Sequence, residues 1–179
     1  MATLHDLKTT PGVAPTRDSA TAGFTLQQTM LRVSDPERSL AFYTGVLGFR
    51  LEAKLDFPDK EFTLFFLSLD LAPLPVDEAD RIHHVFSRPA YLELCWNYDG
   101  SGANPDQQHG WGHIGVAVPS LAAAVKHLDR HGVKFIKRPE DGTMREIAFV
   151  ADPDGYWIEI IEPALMRVYA RDLPPAAVA

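Results

Sequence analysis

An internal duplication constrains this chain more than any other feature of its sequence. "TLQQTMLRV" alternates as a strand does, and "SDPERSLAFYTGVLGF" follows it with the marks of a helix. Ser34 or Asp35 stands as N-cap, Pro36 at the first turn, and Gly48 as the stop. Further on, "HIGVAV" is a second such strand. "PSLAAAVKHLDRHG" is a second helix, with Leu121, Val125 and Leu128 on one stripe and Gly132 at its end. Each helix leads into another strand, "FRLEAKL" or "VKFIKR". Each half closes with a strand pair, "FTLFFLSL" with "AYLELCW" and "REIAFVA" with "YWIEII", the latter joined by the turn "DPDG". The pattern predicts an α+β fold of two βαβββ modules, whose strands make a curved mixed sheet with a cavity between the halves.

The repeats run over about residues 23–98 and 110–163, inside one domain of residues 23–165. Residues 1–22 show no sustained period and read as an arm; residues 166–179 read as a tail. A net charge of −7 argues against nucleic acid as the partner. No run approaches the roughly 18 apolar residues of a membrane span, and no secretory segment opens the chain. The single cysteine, Cys95, excludes an internal disulfide and fits a reducing compartment, so the expectation is a cytoplasmic protein.

Aligning the halves sets Gln28 over His113 and Glu93 over Glu159. The interval between the first pair is longer, and the excess matches an inserted loop or short helix, "DLAPLPVDEADRIHHVFSRP". Each Glu interrupts an apolar strand, and a buried carboxylate needs a cation, a metal or a shifted pKa. Side chains alternate across a strand. Ile158 and Ile160 therefore oppose Glu159, Leu92 and Leu94 oppose Glu93, and Ile114 and Val116 oppose His113. Gln28 lies on the face away from Leu31 and Val33, together with Met30 and Arg32. Three oxygen donors and one imidazole nitrogen suit a divalent cation such as zinc, nickel, cobalt or manganese. Such a cation would act on a carbonyl or diol as a Lewis acid.

"LQQTMLRVSDPERSLAFYTGVLGF", "WGHIGVAVP", "GVKFIKRPEDG" and "AFVADPDGYWIEIIEP", in that order, resemble glyoxalase I, the lactoylglutathione lyases of the vicinal oxygen chelate superfamily. The resemblance implies a homodimer with active sites at the interface, each taking one ligand pair from each chain. Gln28 and Glu93 would be one pair, His113 and Glu159 the other. A Gln at the first ligand resembles the zinc-using branch, with nickel or cobalt as alternatives. The implied substrate is the hemithioacetal of methylglyoxal and glutathione, isomerised through an enediolate to S-D-lactoylglutathione. Glu159 would be the base that moves the proton, and Glu93 its counterpart. Arg32, Asn97 and Lys137 match contacts to glutathione, Met144 and Trp157 match residues near the substrate, and Phe57, Phe62 and Leu64 match apolar wall positions.

The chain departs from the family after the first Glu, where "LTHNWG" is replaced by "LCWNYDG". The connection from Asn97 to His113 is short, and His109 stands where relatives carry an Arg. Two rivals use the same fold. A ring-cleaving dioxygenase wants two His and one Glu around iron, and Gln28 in place of a His counts against it. A non-catalytic small-molecule binder would not need all four donor positions filled.

Overall fold

The computed structural model describes residues 10–14, 16, 18–103 and 111–166. Within them the expected repeat is present. The first module runs β1 (Gln28–Arg32), α1 (Pro36–Leu40), β2 (Arg50–Phe57), β3 (Phe62–Ser68), α2 (Glu78–Ser87) and β4 (Tyr91–Asn97). The second runs β5 (His113–Ala117), α3 (Leu121–Arg130), β6 (Phe135–Lys137), β7 (Ile147–Ala151) and β8 (Trp157–Ile161). Each module makes its own four-stranded mixed sheet, ordered β1-β4-β3-β2 and β5-β8-β7-β6. In both, the first strand lies parallel to the last and the other pairings are antiparallel.

Capping follows the sequence. The Asp35 side chain accepts from Arg38 N, and Ser120 from Ala123 N. Gly132 takes φ of 65° beyond α3, a backbone region that glycine enters without a Cβ penalty. The first helix is less regular than its pattern predicts. After five α-helical residues the chain widens into a π-helical turn over Ala41–Val46, with Leu47 N bonded to Phe42 O at 3.1 Å. That turn buries Phe42 and Tyr43. The inserted segment contains α2, capped by Asp77.

Leu31, Val33, Leu92, Leu94, Phe65 and Leu67 from the first sheet share one core with Val116, Ala148, Val150, Ile158 and Ile160 from the second. Burying one large aliphatic side chain stabilises by about 2 kcal/mol. β4 is buried on both faces, and a one-residue slip would drive Glu93 into the apolar core in place of Leu92 and Leu94, so its register is strongly held.

The two modules are also bonded to each other. Tyr43 Oη donates to Asp152 Oδ2 at 2.8 Å, and Ser39 Oγ to Asp154 Oδ2 at 3.2 Å. Ser34 Oγ donates to Asp154 Oδ1, and Arg38 pairs with the same carboxylate at 3.4 Å. His127 Nε2 lies 2.8 Å from Val46 O. The "DPDG" turn is therefore more than a hairpin connection: it is where α1 docks on the second module.

Candidate active site

In the first module, the parallel register sets Gln28 beside Tyr91, Met30 beside Glu93, and Arg32 beside Cys95. On the other side of β4, Phe66 opposes Glu93, Leu64 opposes Cys95 and Phe62 opposes Asn97. Phe57 faces Phe62 in the next ladder, and the rings stack at 4.7 Å. Gln28, Arg32, Glu93, Asn97, Phe57, Phe62 and Leu64 thus share one face, as the alternation requires. Gln28 Nε2 donates directly to Glu93 Oε2. Glu93 is 6% exposed, and burial pushes its carboxyl above the usual range although the Arg32 charge pulls it down. Arg32 Nη1 donates to Cys95 Sγ at 3.4 Å, and burial pushes that thiol up as well. Cys95 therefore has no activated nucleophilic character.

In the second module, His113 pairs in register with Trp157, and Gly115 with Glu159. His113 Nε2 lies 3.1 Å from Glu159 Oε2, with the two side chains 41% and 17% exposed. The imidazole sits edge-on to Phe149 at 5.1 Å, and Phe149 packs on Trp157 at 5.6 Å. Gly115, in register with Glu159, lets Ile161 pack close; a Cβ there would meet Ile161 Cδ1 at 3.2 Å. Lys137 opposes Phe149 on the next strand. Its ammonium is turned onto backbone, donating to Arg138 O, Met144 O and Ile147 O at 3.1, 2.5 and 3.2 Å. Met144 lies in the loop that Lys137 fastens, 46% exposed. His109 lies outside the described residues.

The four expected donors therefore meet as two pairs, one per sheet. Among the described residues no three His, Cys, Asp or Glu side chains gather closely enough to hold a metal. Gln28 and His113 do line a common cleft of about 780 Å³ between β1 and β5, with Phe49, Leu92, Trp111 and Ile114.

Sequence reasoning overlooked two groups. Glu52 occupies a bulge between Leu51 and Ala53 and is buried. It is paired with Arg50 at 2.6 Å and accepts from Tyr91 Oη, with His84 Nε2 3.8 Å away. Its residue type carried no signal, since β2 reads RLEAKLDF and Glu52 looks like one more of its exposed charges. Phe149, the prop of His113, carried no signal beyond its place on a core strand.

A model of the Glyoxalase/Bleomycin resistance protein/Dioxygenase superfamily matches residues 25–160. The chain belongs to that superfamily. It is 46% identical to the lactoylglutathione lyase of Pseudomonas putida over 89% of this chain and 97% of that one. It is 42% identical to the lactoylglutathione lyase of Pseudomonas aeruginosa over 87% of this chain and 92% of its relative. Among solved structures, the trypanothione-dependent glyoxalase I of Leishmania major superposes with a TM-score of 0.64 at 31% identity. That match covers 82% of this chain and 92% of the Leishmania one. Within the superfamily these relatives place the chain in the glyoxalase I branch. No helix among the described residues is long and apolar enough to cross a membrane.

Proposed function

We propose that the two donor pairs belong to one active site that closes between two copies of the chain, where it acts as a lactoylglutathione lyase. Its substrate is the hemithioacetal of methylglyoxal and glutathione, and its product S-D-lactoylglutathione. The single observation that carries this reading is the pairing itself: Gln28 against Glu93 on one sheet, His113 against Glu159 on the other. Each pair is half a coordination set, and within one chain the halves do not join.

The donors fit a divalent cation. Glu93 is buried against Gln28 and, among the described residues, no cation pairs with it, a state that burial disfavours and that a metal would relieve. Turning the Gln28 amide exchanges Nε2 for Oε1 and converts its contact with Glu93 into a pair of oxygen donors. Gln28, Glu93, His113 and Glu159 would hold the ion, and the three oxygens with one nitrogen suit zinc, with nickel and cobalt as alternatives. When bound, it supplies Lewis-acid stabilisation to the adjacent oxygens of the substrate.

The chain's own residues do the rest. Glu159, partly exposed and in register with Gly115, takes the proton from C1 of the hemithioacetal and returns it to C2. Glu93 is its counterpart on the opposite side, inside the apolar wall of Phe62, Leu64 and Phe66. Phe149, backed by Trp157, holds the imidazole edge-on. Arg32 and Asn97 take the carboxylates of the glutathione moiety, and Lys137 joins them by leaving its three carbonyls. A reducing cytoplasm, where such a thiol persists, suits the single unpaired Cys95.

Metal analysis of the purified protein, coupled to thioester absorbance with methylglyoxal and glutathione, tests this reading. Stoichiometric divalent metal and metal-dependent thioester formation are expected. A metal-free protein that forms no thioester even after loading with zinc, nickel or cobalt would overturn it.

A further inference from the structure

We propose that Gly102 is a positioning residue for Arg32, and that the turn after β4 is built to aim Arg32 and Asn97 at the carboxylates of the thiol. This rests on the glyoxalase I reading and names a part of that site which the chain shapes in its own way. The turn replaces the segment in which the sequence departs from the family. Asn97 Nδ2 donates to Ser101 O at 3.0 Å, Gly100 N to Asn97 O at 2.7 Å, and Ser101 N to Asp99 Oδ1 at 2.9 Å. These bonds fold Tyr98–Ser101 back on β4 and bring Gly102 down on the Arg32 stem. Gly102 has φ of 89°, and a Cβ added there would stand 2.7 Å from Arg32 Cδ and 3.4 Å from Asn97 Nδ2. No side chain fits without moving the arginine.

At the other end, among the described residues, the guanidinium donates to a weak acceptor alone, Cys95 Sγ at 3.4 Å. Among the described residues no carboxylate pairs with it. An arginine whose stem is confined by the turn and whose guanidinium makes no ion pair, though Glu93 feels its charge, is preorganised for a carboxylate, because part of the rotamer entropy of binding is already lost. Asn97 shares the same support, so one glycine holds both polar contacts in register.

The test uses the metal-loaded full chain and S-hexylglutathione, which presents the tripeptide's carboxylates but no reacting carbon. Gly102→Ala is expected to weaken its binding about tenfold and to raise KM for the hemithioacetal similarly, with kcat within about twofold of wild type. Gly102→Asn, a residue type that tolerates positive φ, is expected to show the same loss, separating the contact with Arg32 from backbone strain. In an Arg32→Ala background, adding Gly102→Ala is expected to change binding by less than about twofold, because the glycine acts through the arginine. Undiminished affinity in both Gly102 variants, or a full Gly102→Ala effect surviving in Arg32→Ala, would overturn the proposal. A wild-type protein that does not bind S-hexylglutathione would remove the glyoxalase I reading and this proposal together. Wild-type binding with unaffected variants would remove this proposal alone.

Discussion

The two modules share a topology but finish their inner faces differently. In the first, the inserted helix α2 lays Ile82 and Val85 on Ala53, Phe66 and Tyr91, and Glu93 is buried beside them. The clamp of Arg50, Glu52 and Tyr91 fastens that helix's neighbourhood to the sheet, and Gln27 Nε2 reaches Val85 O at 3.1 Å. In the second module no helix intervenes between β7 and β8, the counterparts of β3 and β4, and His113 remains 41% exposed beside Glu159. One half-site is thus roofed and rigid, the other open and waiting for cover. On the proposed reading, the open pair carries the base that moves the proton, and the roofed pair the wall against which the substrate is held.

That contrast can be broken at three points. The largest effect is expected from Glu159→Gln, which removes the base from the open half. The fold should persist while kcat falls by about a thousandfold or more. Thioester absorbance at saturating substrate, with circular dichroism as the fold control, reads this directly; near-normal turnover would take Glu159 out of the proton transfer.

Next comes the clamp. Glu52→Ala strands the Arg50 charge and the Tyr91 hydroxyl, and a broken buried pair costs about 3–5 kcal/mol. The exposed Arg138–Asp129 pair of the second module, at 2.6 Å, should by contrast leave the urea midpoint unmoved when Arg138 is replaced by Ala. Equal midpoint shifts in the two variants would mean that the modules are held alike.

The smallest effect concerns the joint between them. Burial pushes the Asp152 carboxyl above its ordinary value, although Tyr43 Oη and the Tyr156 and Asp154 amides pull it down. A carboxyl raised in the folded state binds its proton more tightly folded than unfolded. Its contribution is therefore fully present below the unfolded pKa of about 4 and declines as pH rises through the raised value. Asp152→Asn does not titrate. The stability advantage of wild type over Asp152→Asn should consequently shrink as pH rises above about 4 in urea unfolding. An advantage that grows with pH would show the ionised form to be the favoured one.

The repeat and the faces of its strands were legible because period two is a local property. Leu92 and Leu94 against Glu93, or Ile158 and Ile160 against Glu159, need only three consecutive residues to be sorted. A cap at Ser34 or Asp35 was readable too, because capping depends only on the residues of the first turn. Glu52 escaped because a bulge breaks the period at that residue, so alternation says nothing about its direction. Asp152 and Asp154 looked like ordinary turn residues, since their partners Tyr43, Ser34 and Ser39 lie more than 100 residues away in sequence. The π-helical turn at Ala41–Val46 came from packing Phe42 and Tyr43, which helix propensity does not register. Alternation also says which face a donor occupies, never which copy of the chain will meet it.

Mixed dimers test the shared site most directly. One chain carries Gln28→Ala and Glu93→Ala, the other His113→Ala and Glu159→Ala, and each alone should be inactive. Unfolded together and refolded, they should regain about a quarter of wild-type activity, because half the dimers are mixed and one of the two sites in each is whole. A mixture as inactive as its parents, with mixed dimers verified by mass, would contradict a site built from two chains.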